Sequence, residues 1–210
     1  MKTISVTIPN PYEVVVGEHL ITDLGQYTLQ VVKPRKAVLI CDTNVWQLYG
    51  TEAACSLARS GFNIIDYILP EGEQSKSGDT CLKLLRYLSD NHIEKSDIII
   101  ALGGGVIMDI VGFVSATYLC GVPYIQVPTT LLAMVDATIG CRYMLHLPSG
   151  KNQFGVSYAP SLVICDTTTL KSLSLTDFHN GCAEVIMLSI MLDCNLFNHI
   201  MDHAGSFDRE

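Results

Sequence analysis

The chain has 210 residues, 49% of them hydrophobic and 16% charged, enough for one large domain or one domain plus part of another, and too apolar for disorder. A formal net charge of -8 with no basic run argues against a nucleic-acid partner or an anionic membrane surface. Residues Met1 to Val6 lack the apolar core of a signal peptide and no apolar run reaches spanning length, so the expectation is a soluble cytoplasmic protein with no membrane partner.

Strand and helix signals alternate along the chain. Ala37 to Cys41 reads as a short apolar strand, ended by the turn and cap signal Asp42-Thr43-Asn44. Thr51 to Ser60 reads as a helix closed by Gly61, and Asn63 to Leu69 as a second strand. The polar loop Pro70 to Ser77 follows, then a helix over Thr80 to Asn91 with Leu82, Leu84, Leu85 and Leu88 at helical spacing. Asp97 to Leu102 is a third strand, Tyr124 to Pro128 a fourth and Leu162 to Asp166 a fifth. Such alternation implies an α/β fold with a parallel sheet and right-handed crossovers. Beyond about Asp166 the pattern becomes helical, over Thr176 to Ile200, and the terminal stretch Ala204 to Glu210 is polar. The predicted division is an α/β unit over residues 1–168 and the start of an all-helical unit over residues 169–210. Eight cysteines form no C-x-x-C pair and mostly sit in apolar segments, which reads as buried, reduced thiols.

The most informative stretch is Gly103-Gly104-Gly105-Val106-Ile107-Met108-Asp109. Three glycines between strand and helix let the backbone approach a ligand closely. The helix N-terminus behind them offers unpaired N–H groups and a partial positive charge, which suits a pyrophosphate. A plain tight strand-to-helix turn is the alternative. Asp42, Gly103 to Gly105 and Thr129-Thr130 all fall just past strand ends, where ligands of parallel sheets bind.

From about Val38 to Phe197 the chain resembles the 3-dehydroquinate synthase family, within the wider sugar phosphate cyclases. The resemblance rests on Gln126-Val127-Pro128-Thr129-Thr130-Leu131-Leu132-Ala133-Met134-Val135-Asp136, on Gly150-Lys151-Asn152 with Gly155 and Tyr158, on the glycine turn, on Gly72-Glu73 with Lys76, and on Ala183-Glu184-Val185-Ile186. It implies a Rossmann-like N-terminal domain followed by a helical domain, bound NAD, a divalent metal such as zinc or cobalt, a homodimer, and a small sugar acid phosphate as substrate. Carried over by motif, Asp42, Asn44, Glu73 and Lys76 would hold the adenosine half of NAD. Gly104, Gly105 and Asp109 would receive the pyrophosphate and nearby ribose, and Thr129 and Thr130 would hydrogen-bond the cofactor. Asp136, Arg142, Lys151 and Asn152 would serve substrate and catalysis, and Glu184 would be one metal ligand. Glycerol-dehydrogenase-type enzymes share the glycine turn, but Leu131-Leu132-Ala133 after Pro128-Thr129-Thr130 departs from their Gly-Ser-Glu-like run.

The substrate side departs from the family pattern. Cys120 stands where the family has the Arg of Tyr-Leu-Arg-Gly, and Met187 replaces the Lys of Ala-Glu-Val-Ile-Lys. Cys141-Arg142-Tyr143 replaces Gly-Lys-Thr, and Met108 stands where glycine is common. Losing two fixed cations weakens the grip on a phosphate at roughly 1.5–3 kcal/mol per charged hydrogen bond. The histidine ligands of the family's C-terminal domain lie in a motif beyond Glu210. The resemblance therefore implies dehydroquinate synthase chemistry impaired in this chain, with a non-catalytic NAD-binding or partner-binding paralogue or fragment as the alternative. His199 and His203 read as an exposed helix-end pair, and His146 and His179 as lone polar histidines.

Overall fold

A computed structural model describes residues 1–203. The sheet has seven strands: β1 (Lys2–Val6), β2 (Tyr12–Gly17), β3 (Lys36–Asp42), β4 (Asn63–Leu69), β5 (Ile98–Gly103), β6 (Tyr124–Pro128) and β9 (Leu162–Asp166). Their spatial order is β1-β2-β9-β6-β5-β3-β4. Every neighbouring pair is parallel except β1 with β2. The two N-terminal strands, with the antiparallel edge they make, were not expected. β1 is largely exposed on both faces and so carries no clear alternation of buried and solvated residues.

Central strands β3, β5, β6 and β9 are apolar runs buried on both faces, as helices on both sides of a parallel sheet require. On one face α4 (Gly78–Asp90) and α5 (Gly105–Thr117) pack Leu84, Leu88, Ile110, Val111 and Val114 onto Val38, Ile99 and Tyr124. On the other, α1 (Leu24–Leu29) and α3 (Thr51–Arg59) pack Leu24, Ala53 and Leu57 onto Leu39, Ile100 and Ile125. Between β3 and α3 the chain runs through α2 (Thr43–Val45) and a π-helical turn over Trp46–Gly50. The chain leaves β3 outward to β4 and returns on its other side as β5. The carboxyl ends of β3 and β5 thus flank a topological switch point, where an open α/β sheet binds its ligands.

A second sheet is a hairpin, β7 (Arg142–Leu147) and β8 (Gly150–Ser157). It also was not expected, because β8 is mostly exposed and polar. The C-terminal helical stretch is two helices, α6 (Leu175–Leu192) and α7 (Cys194–Asp202). The break falls at Asp193, whose extended backbone ends α6 while its carboxylate accepts from Asn195 and Leu196 N–H to cap α7. A Cβ on Gly181 would lie 2.6 Å from Leu131 Cβ, so that glycine lets α6 lie close on the segment after β6. Ala204 to Glu210 lie outside the described residues.

Two measurements check this packing. Cys41, Cys81 and Cys165 are buried, and burial pushes each thiol up to about 12, so they should resist alkylation at neutral pH until the chain unfolds. Exposed Cys55, Cys120 and Cys194 should label first; equal rates at all six would contradict the fold. The second measurement concerns Gly112, whose added Cβ would lie 2.4 Å from the Tyr143 ring. An exposed helical Gly→Ala gains about 1 kcal/mol, but this contact should turn the sign to a loss of about 1–3 kcal/mol for Gly112→Ala in urea unfolding.

Candidate functional site

The carboxyl ends of β3, β5 and β6 open into a cavity of about 540 Å³ whose lining includes Asp42, Asn44, Gly72, Gly104, Gly105, Thr129 and Thr130. The glycine turn builds one wall. A Cβ on Gly103 would meet Ile107 Cγ1 at 2.8 Å and one on Gly104 would meet Thr130 Cγ2 at 3.2 Å, whereas one on Gly105 meets nothing within 4 Å. The first two are packing glycines; the third faces open space. Gly104 supplies no side-chain cap to α5, so the first-turn N–H groups keep their donors and the positive end of the dipole toward the cavity.

Opposite, Asp42 caps α2, its Oδ1 accepting from Val45 N–H at 2.9 Å. Thr129 N–H donates to Gly103 O at 2.9 Å, and Ala133 N–H donates to Thr130 Oγ1 at 3.2 Å. Gly72, at φ +104, makes a turn that a side chain would strain. Tyr49, Ser172 and Asp177 also line it. They were missed because they come from a π-helical turn and from the entry to α6, far in sequence from the glycine turn.

A second cavity of about 340 Å³ is lined by Lys76, Asp109, Asp136, Arg142, Met144 and Asn152 among others. Its centre is a largely buried ion pair, Lys76 Nζ to Asp109 Oδ2 at 2.5 Å. Asp109 Oδ1 also accepts from Met144 N–H at 2.9 Å. Burial nonetheless holds the Asp109 carboxyl above the usual carboxylate range, outweighing the pull of Lys76 and of the Met144 N–H. Lys76 and Asp109, expected around the adenosine half and the pyrophosphate, thus face the second cavity rather than the first. Both cavities draw on the same two elements: the turn after β4, through Gly72 and Lys76, and α5, through Gly105 and Asp109.

Other expected residues lie apart. Glu73 lines neither cavity, although Glu71, Gly72 and Gln74 line the first. Lys151 is exposed on β8 and Glu184 half-buried on α6, and neither lines a cavity. Among the described residues no group of three or more His, Cys, Asp or Glu side chains converges on a point that would hold a metal. Met108 is fully buried in the core and leaves the cleft clear. Tyr143 adds no bulk to the second cavity either: it is fully buried over Gly112 and hydrogen-bonds Tyr124. Cys141 holds a left-handed backbone at φ +49, a conformation a glycine adopts without cost.

The family model for the 3-dehydroquinate synthase N-terminal region matches residues 66–180. The 3-dehydroquinate synthase of Acaryochloris marina is 40% identical over 200 residues, which cover 92% of this chain and 54% of that protein. That of Microcystis aeruginosa is 38% identical over 209 residues, covering 98% and 57%. The chain therefore spans about half the length of the curated relatives it matches. Among solved structures, ValA, a 2-epi-5-epi-valiolone synthase from Streptomyces hygroscopicus with NAD+ and Zn2+ bound, superposes with a TM-score of 0.86 at 28% identity, covering 97% of this chain and 56% of that one. Glycerol dehydrogenase from Schizosaccharomyces pombe, at a TM-score of 0.62 and 24% identity over 74% of this chain and 37% of that one, shares the fold. No helix among the described residues is long and apolar enough to cross a membrane. With the glycine turn, the Gln126 to Asp136 run and more than half of its length matched in order, the chain belongs to the 3-dehydroquinate synthase family.

Proposed function

We propose that the first cavity binds NAD and that the protein serves the family reaction. That reaction is phosphate elimination and cyclisation of 3-deoxy-arabino-heptulosonate 7-phosphate to 3-dehydroquinate, in the shikimate pathway. The observation that carries this reading is the uncapped N-terminus of α5 at the switch point, facing open space at Gly105. Asp42, whose Oδ1 caps α2, offers its second oxygen to a ribose hydroxyl beside Asn44. Gly104 and Gly105 bring the helix N–H groups to the pyrophosphate, and Thr129 and Thr130 add hydrogen bonds. The cofactor then extends along α5 toward Lys76 and Asp109, with Glu73 supporting the turn. Bound NAD supplies a hydride acceptor that is restored within each turnover.

Asp136, Arg142 and Asn152, with Lys151 nearby on β8, are the proposed substrate contacts. Arg142 keeps a cation where the resemblance has lysine, with a larger planar head. Lys76 is already paired with Asp109, so Arg142 is the one cation among the described lining residues left for a phosphate. Glu184 would give a zinc or cobalt ion a single carboxylate. Turnover by these residues alone is expected to be impaired. The cation-poor second cavity favours, as a second reading, an NAD-binding module that pairs with another chain through the exposed apolar residues Ile186, Ile190, Met191 and Leu192 of α6. In either case residues 1–168 are proposed as the α/β unit, residue 169 onward as the start of a helical one, and a homodimer as the assembly.

Calorimetric titration with NAD should give saturable binding. Gly105 has helical backbone and an open Cβ position, so Gly105→Ala should stabilise the fold by about 0.4–1 kcal/mol yet weaken NAD binding, because the methyl occupies the cofactor's space. Unchanged affinity in this variant, or no binding by the parent, would sink the assignment. Phosphate release from the seven-carbon substrate should be far slower than in the 3-dehydroquinate synthase of Acaryochloris marina; a comparable rate would overturn the expected impairment.

A further inference from the structure

His146 lines neither cavity, yet both of its ring nitrogens are engaged. The backbone N–H of Asn152 donates to Nδ1 at 3.1 Å, and Nε2 lies 2.8 Å from Glu73 Oε1. An N–H can donate only to a ring nitrogen that carries no proton, so the ring proton belongs on Nε2, where it donates to the Glu73 carboxylate. The His146 side chain is only 18% exposed. Its main chain is tied to the same turn, His146 N–H donating to Lys76 O at 3.0 Å.

The ring joins two segments far apart in sequence. Asn152 holds a left-handed backbone at φ +52 inside β8, a conformation that asparagine adopts more readily than most non-glycine residues. Asn152 lines the second cavity. Glu73 follows Gly72 in the turn whose residues Glu71, Gly72 and Gln74 line the first. One imidazole therefore links a residue that lines the second cavity to the turn that borders the first.

We propose that His146, as its neutral Nε2–H tautomer, is a positioning residue that clamps the Gly72–Lys76 turn to Asn152 and so fixes the walls of both cavities together. Its consequence for cofactor binding rests on the reading of the first cavity as the NAD site; the clamp itself does not.

The test combines imidazole ¹⁵N and backbone amide NMR of the chain with NAD calorimetry on three variants. The parent should show Nε2 protonated and Nδ1 bare at neutral pH. His146→Asn keeps an acceptor near Nδ1 and should leave the Asn152 amide resonance close to its place. His146→Gln keeps a donor within reach of Glu73, and should retain NAD affinity while the Asn152 amide shifts. His146→Ala should move that amide and weaken NAD several-fold. A residue that only packs would give no such split between the Asn and Gln variants. The opposite tautomer, an imidazolium, or an Asn152 amide indifferent to His146→Ala would overturn the proposal. Should the parent bind no NAD, the reading of the first cavity fails, while the tautomer and the Asn152 amide still decide the clamp.

Discussion

The Lys76–Asp109 ion pair is the constraint on which the arrangement of the site depends. Two opposite charges, each largely removed from water, cost several kcal/mol to desolvate, and either one left alone would be strongly destabilising. Neither residue can therefore be placed without the other, nor can the elements that carry them. Lys76 ends the turn after β4, Asp109 lies in the first half of α5, and Met144 of β7 donates to the same carboxylate. One buried carboxylate thus fixes a turn, a helix and a hairpin in a common frame. The raised titration of Asp109 records the cost: desolvation exceeds what the partners return. Such a pair contributes little net stability, and the elements it ties together carry Arg142 and Asn152 into the lining of the second cavity with Asp136.

The sheet supplies the other half of the site through topology alone. Reversal of strand order around β3 leaves a gap between the carboxyl ends of β3 and β5, and the residues next in sequence to those ends must line it. Asp42 at the end of β3, Gly104 after β5 and Thr129 after β6 were legible in the sequence for this reason. Each follows an apolar run long enough to be a buried strand, and the run fixes where the chain emerges. Glycine spacing refines the picture, since Gly103 and Gly104 make room for Ile107 and Thr130 while Gly105 leaves room for a ligand.

What the sequence hid is what depends on contacts between distant segments. β1 and the β7–β8 hairpin are exposed and polar enough that no period of two stands out, and only their pairing makes them strands. The partnership of Lys76 with Asp109 was illegible because it needs β4, α4, β5 and α5 assembled first; read residue by residue, the two carry no sign that they pair with each other. His146 looked like a solitary polar residue, yet its partners Glu73 and Asn152 approach it from either side. Tyr143 was visible as a departure from the family pattern, but only its burial over Gly112 and its bond to Tyr124 show that it is part of the core.

The occupant of the first cavity decides whether this cleft is a cofactor site. A crystal structure of the chain soaked with NAD addresses this most directly. It should place the diphosphate on the N–H groups of Gly105 and Val106, the adenosine ribose against Asp42, and the nicotinamide end toward an intact Lys76–Asp109 pair. Density for the cofactor elsewhere, or in this cavity with the diphosphate turned away from α5, would contradict it.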